Sequence, residues 1–282
     1  MNTHKYLALL LFLIVSCGHN TFLTKSENKK ESLFFNESMS RYTKADLENL
    51  ITQKNVNVLA LGQCYLGAED KGLEQLKSKL NEHIIDEKYW NSVGVCYYLN
   101  KDYKEAAFFF KLSLQVAKSK NKTFSLPYNN LALIYIHTRQ YRQALDYLNN
   151  AIKLNPYSDV AKFNLSQLYL KKYLPEKAKL ILKKLLKKTP HDIDLQSSLG
   201  LVYLLMGDAK NALKMFAQLP KDILKRQDIA SYNALAFFIS GQYLETLEAL
   251  KNQEAITIRG FRKIRKKLKE LANAKIKQRG QS

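Results

Sequence analysis

The chain has 282 residues, 46% of them apolar, which is enough to bury a large core and excludes a globally disordered protein. Ten glycines and five prolines favour a helical chain with short turns over an all-β chain. A net charge of +20 indicates an acidic partner or surface, and three cysteines are too few for a disulfide scaffold.

The first sixteen residues have the pattern of an export signal. A short basic segment precedes the unbroken apolar run Tyr6–Val15, which is too short to span a bilayer and typical of a signal-peptide core. The run leads into Ile-Val-Ser-Cys at residues 14–17, which resembles a bacterial lipobox with Ile14 where leucine is usual. This resemblance implies that residues 1–16 are a lipoprotein signal peptide and that Cys17 is the lipid-attachment residue, carrying palmitate. A plain secretory signal and an uncleaved anchor are the alternatives.

Processing at the lipobox would place the rest of the chain in a bacterial cell envelope. Gly18, rather than aspartate, follows the cysteine, which in the enterobacterial sorting pattern favours the periplasmic side of the outer membrane of a Gram-negative cell. Residues 17–42 are polar and mixed in charge, as in a tether between lipid and domain. We interpret their one apolar cluster, Leu33–Phe35, as a staple onto the first helix rather than a binding motif. Residues 43–54 are predicted to be an N-terminal capping helix, with Thr43 capping its first turn.

A pattern of about 34 residues then recurs. Its two clearest copies are adjacent. The pattern residues of the first copy are Tyr128, Leu131, Ala132, Tyr135, Ala144, Leu148, Ala151 and Pro156. The corresponding residues of the second copy, one period later, are Lys162, Leu165, Ser166, Tyr169, Ala178, Leu182, Leu185 and Pro190. Apolar residues three or four apart define one helix face, and each copy carries two such faces around a short polar break. Each copy is therefore predicted to form two antiparallel helices that must stack on their neighbours.

The period and the pattern W-x2-L-G-x2-Y…A-x3-F…P resemble the tetratricopeptide repeat (TPR). The second copy is the closest, with Trp90, Gly94, Tyr97, Ala106 and Phe110 at the matching positions. The resemblance implies an all-α fold, a right-handed TPR solenoid of about six helix-turn-helix repeats with a C-terminal capping helix. The predicted array spans residues 55–260, as repeats 55–86, 87–124, 125–158, 159–192, 193–226 and 227–260, before a basic helix and tail at 261–282.

The TPR resemblance also implies a partner-binding groove, because the first helices of TPR arrays line a concave face. The positions that form this face are here Gln63, Asn91, Val95, Tyr98, Asn129, Leu133, Ile136, Phe163, Gln167, Leu170, Ser197, Leu201, Leu204, Ser231 and Phe238. We call them the predicted groove. Amides there are suited to a peptide backbone and apolar residues to its side chains. We expect about a third of the apolar members to pack on the next repeat instead.

Two stretches hold most of the positive charge. Lys171–Lys188 has eight lysines against Glu176, and Arg259–Ser282 has ten basic residues against Glu270. The predicted basic surface comprises Lys171, Lys172, Lys183, Lys184, Lys187, Lys188, Arg262, Lys263, Arg265, Lys266, Lys267 and Lys269. It is interpreted either as a solvated face or as a site for anionic lipid, an anionic polymer or an acidic protein. The export signal argues against nucleic acid, as does the lack of interleaved aromatic residues beyond Phe261 in the C-terminal stretch.

The remaining cysteines and the histidines do not indicate chemistry. Cys64 and Cys96 both occupy the tenth position of their repeats, which is apolar elsewhere, so they are predicted to be buried small hydrophobes. A disulfide between them is disfavoured because packed helices are about 8–10 Å apart. The histidines lack metal-ligand spacing, and nucleotide-binding and hydrolase motifs are absent, so we predict no metal, no cofactor and no catalytic residues.

The sequence therefore predicts a non-catalytic, lipid-anchored TPR scaffold or adaptor that binds a protein or peptide partner on its concave face. Such proteins take part in assembling secretion, pilus or cell-wall complexes, and the residues do not choose among these roles. The alternative is an envelope-surface binder that holds anionic lipid or polymer through its basic helices. An enzyme with an unrecognised site would need a polar cluster in the groove, which the sequence does not show.

Overall fold

A computed structural model describes residues 44–251 and 259–280 of the chain. Cys17, the tether and Thr43 lie outside the described residues. Within those ranges the chain forms helices and no strand. The sixteen helices are α1 Lys44–Leu50, α2 Val56–Tyr65, α3 Glu69–Ser78, α4 Leu80–His83, α5 Glu87–Leu99, α6 Tyr103–Ser119, α7 Leu126–His137, α8 Tyr141–Leu154, α9 Asp159–Lys171, α10 Pro175–Lys188, α11 Ile193–Leu205, α12 Ala209–Phe216, α13 Lys221–Lys225, α14 Gln227–Ile239, α15 Tyr243–Lys251 and α16 Arg259–Gly280.

The chain divides into two compact units between Leu168 and Tyr169. In the first unit α2 pairs with α3, α5 with α6 and α7 with α8, and the first helices α2, α5 and α7 neighbour one another in that order. In the second unit α11 pairs with α12 and α14 with α15. The predicted all-α architecture of stacked helix pairs is confirmed. Among the described helices, none is long and apolar enough to cross a membrane.

The turn between the two helices has the same geometry in all six predicted repeats. One residue with positive φ follows each first helix, and these residues are Gly67, Lys101, Arg139, Tyr173, Gly207 and Gly241. They are 34 residues apart, except that Lys101 and Arg139 are 38 apart, because the second repeat, 87–124, has four extra residues near its end. The next backbone N–H donates to a carbonyl five residues earlier, as Asp102 does to Tyr97 and Asp208 to Tyr203. This left-handed cap satisfies carbonyls at the helix end and reverses the chain.

Close packing inside a repeat depends on a missing side chain at the glycine of the TPR pattern. A Cβ built on Gly94 of α5 would lie 2.6 Å from the ring of Phe110 on α6. Phe110 is fully buried, so its ring has no open space into which to move. Glycine here lets the two helices approach until the ring lies directly against the backbone of α5.

Cys64 and Cys96 form a disulfide, which corrects the prediction of two unpaired buried thiols. Their Cα atoms are 5.2 Å apart on the neighbouring first helices α2 and α5. The sequence argument compared the separation of about 8–10 Å between helix axes with a distance between Cα atoms. Cα atoms lie about 2.3 Å from their own axis, so two facing residues approach to about 5 Å, which suits a disulfide. Both cysteines are buried.

Two ion pairs with Glu87 hold the extra residues near the end of the second repeat, around Lys118–Thr123. The Glu87 carboxylate at the start of α5 accepts hydrogen bonds from Lys120 at 3.2 Å and Lys122 at 3.1 Å. Ser113 of α6 donates to the Glu87 carbonyl at 2.5 Å. A hydrogen bond from its own backbone, together with those from the two lysines, holds the pKa of Glu87 at about 2, although burial acts in the opposite direction.

Glu87→Gln is expected to lower the free energy of unfolding at pH 7 by about 1–2 kcal/mol, because two charge-assisted hydrogen bonds weaken. The folded-state pKa lies below the ordinary value of 4.5, so the carboxylate stabilises the fold above pH 4.5 and loses this effect as the pH falls towards 2. Urea titrations across this range should show wild type and variant converging. Glu74→Gln, on the exposed part of α3, is the control, and a gap that stays constant to pH 2 would contradict the assignment.

The C-terminal helix α16 packs on α14 and α15, as predicted for a cap. The apolar spacing of this helix predicts a buried stripe of Phe261, Ile264, Leu268 and Leu271. Phe261, Ile264 and Leu268 are fully buried, but the stripe ends in the fully buried Ala272, and Leu271 is only partly buried. Near its end, Arg279 donates to the carbonyl of Gly241 at 3.1 Å. Its guanidinium lies 4.6 Å from the centre of the Tyr243 ring, a cation–π distance. Both contacts attach the end of α16 to the turn of the sixth repeat.

Candidate partner-binding surface

Most of the predicted groove is packed inside the units. Ten of its fifteen side chains are buried, namely Asn91, Val95, Asn129, Leu133, Ile136, Phe163, Gln167, Leu170, Leu204 and Ser231. Six of the nine apolar members are among them, whereas about a third of the apolar members was expected to pack on the next repeat. Five remain partly exposed, namely Gln63 and Tyr98 in the first unit and Ser197, Leu201 and Phe238 in the second. The surface these positions offer to a partner is therefore narrower than the sequence pattern predicts.

The asparagines of the first unit bond one another across three repeats. Asn164 on α9 donates its side-chain amide to Asn129 on α7 at 2.8 Å, and Asn129 donates to its neighbour Asn130 at 3.1 Å. Asn130 in turn donates to Asn91 on α5 at 3.0 Å. We call this chain of four buried side chains the amide ladder. It joins three successive first helices, so Asn91 and Asn129 have a structural role that their predicted groove position did not reveal.

Sequence reasoning missed the ladder although its signal was present. Asn130 and Asn164 both occupy the sixth position of their repeats, directly beside groove positions, and polar residues at buried positions need partners. The pattern gave their location on a helix but not the separation between helices. Only the stacking of α5, α7 and α9 brings the amides within hydrogen-bond distance.

Asn129→Ala is expected to lower the free energy of unfolding by about 2–3 kcal/mol. The change removes two hydrogen bonds and leaves the Nδ2 of Asn164 and the Oδ1 of Asn130 in a buried site without this partner. Chemical denaturation measures the effect. Asn150→Ala on the exposed side of α8 makes the same chemical change and should stay within about 0.5 kcal/mol of wild type; equal losses in both would contradict a structural ladder.

Aromatic side chains lie beside two of the partly exposed groove positions. In the first unit Tyr98 meets Tyr103 edge to face at 5.4 Å, and Tyr103 meets the His137 ring at 4.1 Å. In the second unit Phe238 and Tyr243 have ring centres 5.5 Å apart. Each pair joins the last turn of a first helix to the start of the second. Half-buried rings of this kind offer apolar contact area with little loss of conformational entropy on binding.

The predicted basic surface lies at the outside of the second unit. On α10, Lys183, Lys184, Lys187 and Lys188 are exposed, as is Lys172 before it, while Lys171 is half-buried. On α16 the exposed members are Arg262, Lys263 and Lys266, and the half-buried ones are Arg265, Lys267 and Lys269. Both helices thus present basic side chains away from their buried stripes. Within the described ranges, no three histidine, cysteine or acidic side chains are placed to hold a metal ion.

Comparison with known proteins identifies the repeat. Residues 135–201 match the family model described as tetratricopeptide repeat. A segment of the chain is 33% identical over 100 residues to the BBSome complex member BBS4 of Bos taurus. That match covers 36% of this chain and 19% of the relative, so the segment spans about a fifth of that protein.

Solved structures show the same fold over longer stretches. A chain of the APC/C hetero-tetramer Cut9-Hcn1 has a TM-score of 0.65 at 14% identity, covering 95% of this chain and 49% of that one. PilW, a type IV pilus biogenesis factor, has a TM-score of 0.63 at 15% identity, covering 75% of this chain and 99% of PilW. This chain therefore spans about half of the first structure. At these identities the likeness concerns the fold alone. Together with the helix pairs, it supports the predicted fold of stacked tetratricopeptide-type helical repeats, and the family match itself covers residues 135–201.

Proposed function

We propose that the protein is a non-catalytic, lipid-anchored adaptor of a bacterial cell envelope that binds a protein or peptide partner through the exposed part of the predicted groove. The TPR fold supports a role in protein interaction. The single observation that carries the binding surface is the set of five groove side chains left partly exposed while their ten neighbours are buried. Within each unit, packed helix pairs hold that unit's share of these side chains in place, which lowers the entropic cost of binding.

Export is supported by two separate features of the chain. The lipobox at residues 14–17 offers Cys17 for lipid attachment. The buried Cys64–Cys96 disulfide agrees with a compartment outside the reducing cytosol, because structural disulfides form and persist in oxidising environments. Both features favour the cell envelope, with the periplasmic side of the outer membrane preferred for a Gram-negative cell.

The pathway in which the adaptor acts is a separate part of the proposal. Assembly of a secretion, pilus or cell-wall complex fits an envelope adaptor, and PilW is a pilus biogenesis factor with this fold. The likeness to PilW concerns fold alone, so it does not favour one pathway. Identification of the bound partner would choose among them.

The test is crosslinking and affinity capture from membranes, with Tyr98→Ala and Leu201→Ala compared with wild type. These side chains are partly exposed, so their removal should reduce capture of a specific partner about tenfold or more while leaving the fold intact. Phe108→Ala and Leu244→Ala remove an aromatic and a leucine that are 60% and 69% exposed on second helices. These controls should retain the partner. Loss in all four variants, or in none, would overturn the groove as the binding surface.

Cys17→Ser is expected to abolish incorporation of labelled palmitate. The reason is that serine provides no thiol for lipid attachment. Cys64→Ala/Cys96→Ala should keep the label, since Cys17 remains. Unchanged labelling of Cys17→Ser would show that the lipobox interpretation is wrong, and it would leave the groove test unaffected.

A further inference from the structure

The outward side of α10 combines an exposed leucine with a cluster of lysines. Ala178, Leu182 and Leu185 are buried and turn α10 towards the core of the second unit. Leu180 lies on the opposite side of the helix and is 66% exposed. At about 100° per residue it stands at the centre of the solvent-facing surface. We call Lys177, Leu180, Lys183, Lys184 and Lys187 the α10 outer face.

Lysines surround Leu180 at the spacings that bring helix side chains together. Lys183, Lys184 and Lys187 are three, four and seven positions after it, and Lys177 is three before it. All four are exposed. Within the described part of the chain, Lys183, Lys184 and Lys187 make no hydrogen bond or ion pair. Three adjacent charges therefore face solvent around one large apolar side chain.

The acidic residue of this stretch does not balance these charges. Glu176 lies on the same outward side, four positions before Leu180 and 70% exposed, and it pairs with Lys179 on the flank of the helix at 3.5 Å. Its single charge offsets one of the four lysines of the α10 outer face. Lys179 also lies 5.9 Å from the Tyr203 ring and 3.7 Å from the sulfur of Met206, so it belongs to the packing against α11. The α10 outer face therefore keeps a net positive charge, with Lys183, Lys184 and Lys187 beyond the reach of this pair.

On two other helices of the same unit, exposed basic side chains and a strongly exposed apolar side chain do not occur together. The solvent side of α16 is basic, but no large apolar residue of α16 is among the exposed ones. Leu244 on α15 is 69% exposed, like Leu180, but Glu245 and Glu248 are its nearest charged neighbours on that helix. Within the described helices of this unit, α10 is the one that joins a strongly exposed leucine to a lysine cluster.

We propose that the α10 outer face docks onto an anionic lipid bilayer, with the lysines against headgroup phosphates and Leu180 inserted at the level where headgroups meet acyl chains. Basic side chains near an anionic membrane surface attract it individually, and an apolar side chain between them adds burial that a soluble polyanion does not offer. The inference rests on the proposed function only for placing the chain at a membrane. It adds a contact surface separate from the groove.

Vesicle sedimentation tests the charge requirement, using the processed form of the chain, from residue 17 onward with Cys17→Ser, so that neither a lipid anchor nor the apolar run Tyr6–Val15 contributes. Binding to vesicles of phosphatidylcholine and phosphatidylglycerol mixed two to one is expected to exceed binding to pure phosphatidylcholine. Lys183→Gln/Lys184→Gln/Lys187→Gln should weaken binding to the anionic vesicles about 100-fold at low salt. The control Lys263→Gln/Lys266→Gln/Lys277→Gln on α16 removes the same charge and should have a much smaller effect. Equal effects would overturn the proposal in favour of net charge alone.

Fluorescence quenching by lipids brominated on their acyl chains tests insertion. Leu180→Trp should be quenched on anionic vesicles, and Leu244→Trp, an equally exposed site beside carboxylates, should not. Quenching of both, or of neither, would overturn the proposal. The proposal would also be overturned if the α10 outer face bound polyphosphate as tightly as vesicles and Leu180→Asn left this binding unchanged. That result would identify a soluble polyanion or an acidic protein as the ligand. The partner-capture experiment on the groove is independent of each of these outcomes.

Discussion

Cys64→Ala/Cys96→Ala is expected to lower the free energy of unfolding by about 3–4 kcal/mol, because the disulfide joins residues 32 positions apart and closing a loop of that length removes chain entropy from the unfolded state. Both cysteines are buried, so alanine also removes some packing, although a small side chain suits either site. Urea denaturation of the oxidised wild type and the double variant measures the difference.

Reduction supplies the control for the disulfide experiment. Wild type unfolded in the presence of a reductant should approach the stability of the double variant, because the loop constraint is then absent from both chains. Single replacement of Cys64 or Cys96 should cost about as much as the double replacement. If oxidised and reduced wild type unfold at the same urea concentration, the bond does not constrain the unfolded chain as described.

Phe110→Ala is expected to lower the free energy of unfolding by about 3–5 kcal/mol, the usual range for removing a fully buried phenylalanine. Phe110 has no exposed surface, and its ring lies directly against the backbone of Gly94. Its removal leaves a cavity between α5 and α6. Phe108→Ala is the matched control on the same helix, because Phe108 is 60% exposed and its loss should cost less than about 0.5 kcal/mol.

A double-mutant cycle tests the contact between Gly94 and Phe110 directly. Gly94→Ala alone should cost about 1–3 kcal/mol, since the new methyl group would lie 2.6 Å from the ring. In the Phe110→Ala background the same change should be neutral or stabilising, because the methyl group then occupies part of the cavity. Additive effects of the two changes would contradict a direct contact.

The amide ladder alters how groove mutations should be chosen. Replacing Asn129 or Phe163 would weaken the fold because both are buried, so loss of a partner could not be separated from loss of structure. Tyr98 and Leu201 avoid this difficulty because they are partly exposed. Burial, rather than position in the repeat, decides which residues report on binding.

The sequence by itself determined the local structure and the way it repeats. A constant repeat period, with apolar positions three or four apart, was enough to predict the helix pairs, and Gly94 was visible as the glycine of the repeat pattern. The longer interval between Lys101 and Arg139 was also visible, as an insertion at the end of the second repeat. These features depend on neighbours along the chain, and hydrophobic periodicity records them directly.

Only the tertiary structure decided which residues of different repeats contact one another. The Cys64–Cys96 disulfide, the amide ladder and the burial of ten groove residues all join helices from different repeats. Such contacts depend on the distance and rotation between helices, which vary by a few ångströms around the average for packed helices. A disulfide or hydrogen bond forms or fails within that variation, so the repeat pattern located these residues but could not pair them.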